Sequence, residues 1–569
     1  MAKSTARFFQ SRARKQAVPK PGRRWTFGFS LPRPLSSVFC LLSPVFCLLV
    51  LAAATAYAAL PIRGIVVDPA RLPESPEYYR RLVDFAADWG LNTILFRLAD
   101  DQGAALRFDR HPELITHRNA LTKQEARDLA MYAQERGVQL IPEMESFGHA
   151  GYLTRSSRWA YLADRNTTTL TPNHPDSLAL LRDLYTEVAE TFPAAYLHGG
   201  CDEVAWSGSS GPNAAEVWAR HVNSLEQIAR SLDKELIVWG DHALRRDPAI
   251  LQWLSRSIIL IDWDYSVTEP AAVRRYAQTA LDRGFRVIGG PAANWCRWGP
   301  RVGSAQLRNI DVFADMYRAI DNPANLGIIT TNWVPTRYLQ NAIWDTLAYA
   351  AVATTNGPAA AQSRALPMFV ERHYGAEWSQ TWEELFGLYY QIAPTRPNCG
   401  ASSPSVFLLP WDSNDALVNA ILSPRRPSPP FEALLDLMAR VGPTVTRNAE
   451  DFAAFRLSVE YLRHSFWRTD VLAAEAEKLA RAGNAQPLFA RIASEDLFLL
   501  ERLREDWDRG RPPDSPVRDR AMPGYTSYDL LLAQFNTAAA YSMQLATTPG
   551  AVAAVLAQAG LLIRVAPDK

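Results

Sequence analysis

From residue 62 onward, short apolar and β-branched runs alternate with stretches whose apolar positions recur every three to four residues. The runs are Arg63–Val67, Thr93–Leu98, Gln139–Pro142, Ala195–His198, Leu236–Val238, Ile258–Ile261, Arg286–Ile288 and Gly327–Thr331. Helical patterns such as Pro76–Trp89, Lys123–Arg136, Asp176–Thr191 and Ala214–Asp233 lie between them. Runs that are apolar throughout, joined by helical crossovers, predict parallel strands covered on both faces. Eight such units over about 290 residues predict an α/β fold, a (β/α)8 TIM barrel, for which ~250 residues is typical. A doubly wound open sheet is the rival topology. No G-x-G-x-x-G follows the first run, which counts against it.

Beyond residue 356 the alternation stops. Helical patterns at Phe431–Val441, Asn448–Ala482 and Pro487–Asp508 are separated by proline-rich breaks at 404–410, 424–430 and 511–516. The expected division is a barrel over 59–356 and a mostly helical C-terminal domain over 357–569. Residues 1–58 read as an address. A basic stretch ends at Arg33, an apolar stretch runs from about Leu35 to Ala54, and Ala56-Tyr57-Ala58 offers a cleavage site. An uncleaved membrane anchor is the rival, since a spanning helix needs ~20 apolar residues. Either reading predicts export, to the periplasm or the cell exterior.

Composition sharpens this picture in two places. The 569 residues carry a net charge of +1, but residues 1–34 hold nine Lys or Arg and no acid. The remainder has 51 basic against 59 acidic residues, a net of −8, and is ill suited to binding nucleic acid through phosphate. Of five cysteines, Cys40 and Cys47 lie in the leader, and Cys201, Cys296 and Cys399 are far apart. Neither a disulfide scaffold nor a C-x-x-C metal or redox site is expected.

Catalytic groups of such barrels stand at the C-terminal ends of the strands. Read in order, those ends carry Asp68; Asp100-Asp101-Gln102; Glu143, Glu145 and His149; His198 to Glu203; Trp239 and Asp241; Asp262 to Tyr265; Asn294, Trp295 and Trp298; and Asn332-Trp333. Carboxylates and indoles dominate. Indoles cover the C–H faces of a sugar ring, and carboxylates accept from its hydroxyls. Glycosidic cleavage needs a proton donor at the leaving oxygen and negative charge beside the developing cation. No H-E-x-x-H or strand-one H-x-H is present, so no metal or other cofactor is expected. Ser207, Ser209 and Ser210 lack a G-x-S-x-G elbow. Asp202 and Glu203 would point apart on a regular strand and converge only where the strand has ended. Their repulsion would then be relieved if one were protonated, as a general acid beside a charge stabiliser requires.

These residues resemble glycoside hydrolase family 20, the β-N-acetylhexosaminidases. His198-Gly199-Gly200-Cys201-Asp202-Glu203-Val204 is similar to the family's H-x-G-G-D-E-V, with Cys201 at the second glycine. Ile141-Pro142-Glu143 through His149-Ala150 is similar to its I-P-E-I-D-x-P-G-H-A stretch, with Glu145 where aspartate is usual. Leu98 to Gln102 resembles L-x-D-D-Q, and Arg63-Gly64 with Asp68 and Arg71 resembles the R-G-x-x-x-D-x-x-R opening. Two further departures are Ala104, where a tryptophan often follows D-D-Q-G, and the lack of the family's N-terminal α/β domain; together they suggest a divergent branch.

The resemblance implies an exo-acting β-N-acetylhexosaminidase working on terminal GlcNAc or GalNAc of amino-sugar glycans. The substrate's own acetamide oxygen would be the nucleophile. Glu203 would be the general acid and then base, and Asp202 would orient the acetamide. Arg63 would hold ring hydroxyls, while Trp239, Trp263 and Trp333 would wall the pocket. Tyr265 would reach the acetamide carbonyl, a role the family gives to a tyrosine after strand seven, where Asn294 stands here. His149, Glu145 and His198 would support the acid from behind. Two other readings stay open: a non-catalytic glycan-binding barrel, and a two-carboxylate glycosidase with Glu143 or Glu145 as nucleophile.

Overall fold

The computed structural model describes residues 60–294, 304–333, 339–392, 429–471, 486–510, 528–548 and 550–558, with a few isolated positions besides. The leader, Trp295, Cys296, Trp298 and Cys399 lie outside the described residues. Among those described, no helix is long and apolar enough to cross a membrane.

Eight parallel strands close into a barrel: β1 Ile62–Val67, β2 Thr93–Asp100, β3 Gln139–Met144, β4 Tyr196–His198, β5 Glu235–Trp239, β6 Ile259–Trp263, β7 Arg286–Gly290 and β8 Asn325–Asn332. Each pairs with the next, and β1 pairs with both β2 (Gly64↔Thr93) and β8 (Ile62↔Gly327), which closes the ring. The crossover helices are α1 Pro76–Asp88, α2 Lys123–Glu135, α3 Pro175–Thr191, α4 Ala214–Ser231, α5 Ile250–Trp253, α6 Pro270–Asp282, α7 Ser304–Ala319 and α8 Trp344–Asn356. Local chemistry sets their starts. Ser75 caps α1 through the Tyr78 N–H with Pro76 at the first turn, and Thr122 with Glu125 forms a reciprocal capping box on α2. The fifth helix is only one turn, preceded by a wide turn over His242–Arg246. Three short strands were not expected: Gly103–Leu106 folds back antiparallel on β2, Thr116–Leu121 lies beside it, and Ala292–Asn294 extends the sheet beside β8.

Alternation along the strands sorts side chains into two layers. Ile62, Leu95, Ile141, Ile237, Ile259 and Ile329 fill the barrel interior, while Ile65, Ile94, Leu140, Leu236 and Leu260 pack outward against the helices. Continuing the inward set two residues at a time leads from this apolar floor to the polar rim. Leu95 is followed by Arg97, Ile141 by Glu143 and Glu145, Ile237 by Trp239, and Tyr196 by His198, Gly200 and Asp202.

Gly357, at φ 92°, ends α8. The helices that follow include Pro358–Phe369, Gln380–Gln391, Phe431–Val441, Ala449–Val471, Gln486–Gly510 and Tyr528–Thr547. Those from Pro358–Phe369 to Gln486–Gly510 contribute to one continuous apolar core with the outer layer of the barrel. Phe85 and Trp344 meet the His373 ring, and Asp451 takes both Arg81 at 2.6 Å and His373 at 2.8 Å.

Candidate active site

A buried ionic chain crosses the first three strand ends. Arg71, just beyond β1, pairs with Asp68 at 3.0 Å and Asp100 at 3.1 Å. Arg97 also holds Asp100, and reaches Glu143 and Glu145, both at 2.8 Å. Trp239 donates its indole N–H to the same Glu143 oxygen at 2.8 Å. Two guanidiniums thus face four buried carboxylates. Charges of this kind are stable out of water only when paired and hydrogen-bonded.

The exit of β4 supplies the reactive-looking pair. Gly200 has φ 67°, Cys201 φ 74° and Glu203 φ 48°. Gly200 has no alternative: a Cβ there would sit 2.0 Å from Glu145 Oε2. The Cys201 N–H donates to that same oxygen at 3.2 Å. His149 (φ 44°) faces the pair from the β3 exit, and a Cβ on the preceding Gly148 would lie 2.5 Å from the Asp202 carbonyl oxygen. Left-handed conformations at three non-glycine residues, roughly 1–3 kcal/mol each, concentrate strain here. The strain breaks strand alternation, so Asp202 and Glu203 both turn toward His149. Its Nε2 lies 3.4 Å from Glu203 Oε2 and 3.8 Å from Asp202 Oδ2, and its Nδ1 bonds Asp101 at 2.7 Å. Asp202 is mostly buried; the Glu203 side chain is 53% exposed, at the lip.

Without a sugar in the site, the split of one ionised and one protonated acid that a general acid needs at work is not yet in place: Asp202 and Glu203 are both held below the usual carboxylate range. Burial raises Asp202, but His149 and Arg97 outweigh it; the His149 hydrogen bond lowers Glu203. Burial works against the His149 cation, and Asp101 and Asp202 more than compensate, so it is held well above the usual imidazole range. The elevated acids stand behind the pair. Burial raises Glu145 well above its normal range, with Asp202 adding to it, and brings Glu143 and Asp241 each to about 7. The reason is geometric: the cation stands between Asp202 and Glu203, not behind them.

The indoles close the other side. Trp239 is 1% exposed and meets Trp333 edge-on at 5.5 Å. Arg97 and Arg71 lie over the Trp333 ring at 5.0 and 5.6 Å, and its N–H donates to the Tyr265 hydroxyl at 2.6 Å. Tyr265 lies against Trp263, with ring centroids 4.9 Å apart. Tyr265 therefore reaches the pocket from β6, beside Trp333. Asn294 is buried beside β8, its main-chain carbonyl accepting from the main-chain N–H of Trp333 at 3.0 Å. His198 packs on Trp239 with centroids 4.7 Å apart and accepts from the Gly200 N–H; burial depresses its pKa to about 3, so it is neutral.

Arg63 is not at the site. It sits at the start of β1 and donates to the Gly90 and Leu60 carbonyls, at the opposite end of the barrel from the strand exits. The inward set on β1 is Ile62, Val66 and Asp68, so Arg63 lies on the other parity. The arginine of the opening motif that reaches the rim is Arg71. Arg97 was not foreseen at all. Its signal was present: one cation in the otherwise apolar run Thr93–Leu98, in phase with inward Leu95.

Fold and site together define a barrel whose strand ends gather carboxylates, imidazoles and indoles. Residues 60–295 match the model of glycosyl hydrolase family 20, catalytic domain. The chain is 26% identical over 248 residues to a β-hexosaminidase of Vibrio furnissii, covering 35% of this chain and 40% of that protein. It is 27% identical over 289 residues to a chitooligosaccharidolytic β-N-acetylglucosaminidase of Bombyx mori, covering 43% and 46% respectively. The chain thus spans less than half the length of these curated relatives. Among solved structures, the β-N-acetylhexosaminidase of Bacteroides fragilis aligns with a TM-score of 0.43 at 17% identity, over 53% of this chain and 65% of that one.

Proposed function

We propose that the protein removes terminal β-linked N-acetylhexosamine from amino-sugar glycans by substrate-assisted, retaining catalysis. The observation that carries this is the Asp101–His149–Glu203 line with Asp202 beside it. Its Nε2 proton faces the Glu203 carboxylate. A sugar entering the site desolvates Glu203, which favours its neutral form and draws that proton onto it. Glu203 then protonates the leaving oxygen as the C1–O bond breaks, and the 2-acetamido oxygen closes on C1 to give an oxazolinium. Asp202, ionised, accepts from the acetamide N–H and offsets the ring's positive charge. Glu203, now a carboxylate, takes a proton from water as the water attacks C1 and reopens the ring, so the anomeric configuration is retained. An internal nucleophile held in line can supply roughly 7–11 kcal/mol.

The two-carboxylate alternative fits less well. Glu143 and Glu145 are fully buried and tied to Arg97, Trp239 and the Cys201 N–H, so neither is free to attack a sugar. Buried Cys201, whose thiol is pushed up by burial, is no nucleophile either. The basic, apolar leader extends the proposal to an exported enzyme acting outside the cytoplasm.

Aryl β-GlcNAc, β-GalNAc and β-glucoside substrates test the reading. Turnover of acetamido sugars alone, abolished in both Glu203→Gln and Asp202→Asn, supports it. Glucoside turnover would move the nucleophile to an enzyme carboxylate, and glycan binding without turnover of any substrate would indicate a binding protein.

A further inference from the structure

Asp241 follows β5 by two residues, at the head of the wide turn His242–Arg246, in αR geometry. The chain reaches this place only because residue 240 is glycine; a Cβ there would stand 2.9 Å from the Ile261 carbonyl oxygen. The Asp241 carboxylate is buried, and its Oδ2 accepts the main-chain N–H of Glu203 at 3.2 Å. Arg246 Nε approaches the same oxygen at 3.3 Å and His242 Nε2 at 3.8 Å. Oδ1 is buried with no hydrogen-bond partner. The ionisable groups facing it are Asp202, Glu203 and the Cys201 thiol from the β4 exit, and His242 and Arg246 from its own turn.

Glu203 has little else to hold it. Its side chain is half exposed, it meets His149 at 3.4 Å, and its backbone is left-handed. A non-glycine residue keeps that conformation only when its surroundings impose it. We propose that Asp241 is a positioning residue. By accepting the Glu203 N–H, it locks that strained peptide so that the carboxylate stays aimed at the leaving oxygen. Once ionised, the same carboxylate places a negative charge close enough to tune how readily Glu203 keeps its proton. The inference rests on reading Glu203 as acid and base.

Asp241→Ala, Asp241→Asn and Glu203→Gln in the full chain, assayed with aryl β-GlcNAc from pH 4 to 9 beside thermal melts, test it. Misplacing a reacting group by about 1 Å can cost 10²-fold, so Asp241→Ala should lose about that in kcat with KM within threefold. Asp241→Asn should recover most of that loss, because the amide oxygen still accepts the N–H. Its alkaline limb should move to lower pH: without the neighbouring negative charge, Glu203 gives up its proton more easily. Wild-type kcat in Asp241→Ala overturns the inference, as does an unshifted limb in Asp241→Asn. If the alanine variant does not fold, the limb of the asparagine variant decides alone. An active Glu203→Gln would instead remove the catalytic reading beneath it; an inactive Glu203→Gln with unaffected Asp241 variants removes only this inference.

Discussion

An aspartate, a histidine and a glutamate line up more than once among the described residues, and two of these lines lie in buried surroundings. At the barrel rim Asp101, His149 and Glu203 are spaced 2.7 and 3.4 Å apart. Between helices Ala449–Val471 and Gln486–Gly510, Asp496, His464 and Glu495 are spaced 2.6 and 3.5 Å apart. The surroundings differ. Arg468 reaches Asp496 at 2.8 Å and Arg491 reaches Glu495 at 2.9 Å, so the helical trio is matched by cations. All three of its residues lie in regular helix. At the rim, His149 and Glu203 are strained, Asp202 adds a further negative charge, and Glu143, Glu145 and Asp241 crowd behind. A constellation alone therefore does not mark a site. Unbalanced charge, local strain and an open lip do.

The comparison can be broken most sharply at the glutamates. Glu203→Gln should lower kcat about 10²–10⁴-fold, the usual range for a general acid–base group, while Glu495→Gln leaves it within twofold. The next effect is on stability. Arg97→Met leaves Glu143 and Glu145 without their cation and Asp100 with Arg71 alone, and breaking buried pairs costs about 3–5 kcal/mol in urea titrations. Arg468→Met should destabilise by a similar amount while activity per folded molecule is kept, because its trio serves packing alone.

A smaller effect concerns pH. Glu143 and Asp241 have folded pKa values of about 7, above their unfolded values, so the native state binds more protons through that interval. Stability should therefore fall as pH rises from about 4.5 to 7, and Asp241→Asn should flatten that slope. His149, also raised, contributes stability fully present below about 6.5 and lost as pH rises through its folded value. Asp202 and Glu203, depressed, contribute above about 4.5 and lose it on acidification. The smallest effect is at Cys201. Glycine removes a left-handed strain of roughly 1–2 kcal/mol but gives up buried thiol contacts, so Cys201→Gly should stay within about 1 kcal/mol and keep kcat within twofold. Cys201→Val, β-branched at φ 74°, should be clearly worse in the same melts.

The barrel was legible because its strands are buried on both faces and read as apolar runs, from Thr93–Leu98 to Gly327–Thr331. The acidic pair at the β4 exit was legible because Gly199, Gly200, Asp202 and Glu203 stand together in sequence. What failed was side-chain direction. Arg63 and Arg71 share one motif, and only inward parity on β1 tells which reaches the rim. Arg97 was passed over because a charge inside an apolar run has no meaning until its neighbours Glu143 and Glu145, some 46 and 48 residues on, are seen around it. The resting ionisation of Asp202 and Glu203 was not legible for a related reason, since His149 comes from another strand. The short strands Gly103–Leu106 and Ala292–Asn294 have too few residues to show a period.

The central claim is that the substrate's acetamide, not an enzyme carboxylate, attacks the anomeric carbon. Aryl β-GlcNAc analogues with zero to three fluorines on the acetyl methyl group test it directly. Each fluorine weakens the carbonyl oxygen as a nucleophile and barely alters the leaving group. The account predicts that kcat/KM falls steeply with every fluorine added; a rate indifferent to fluorination would contradict it.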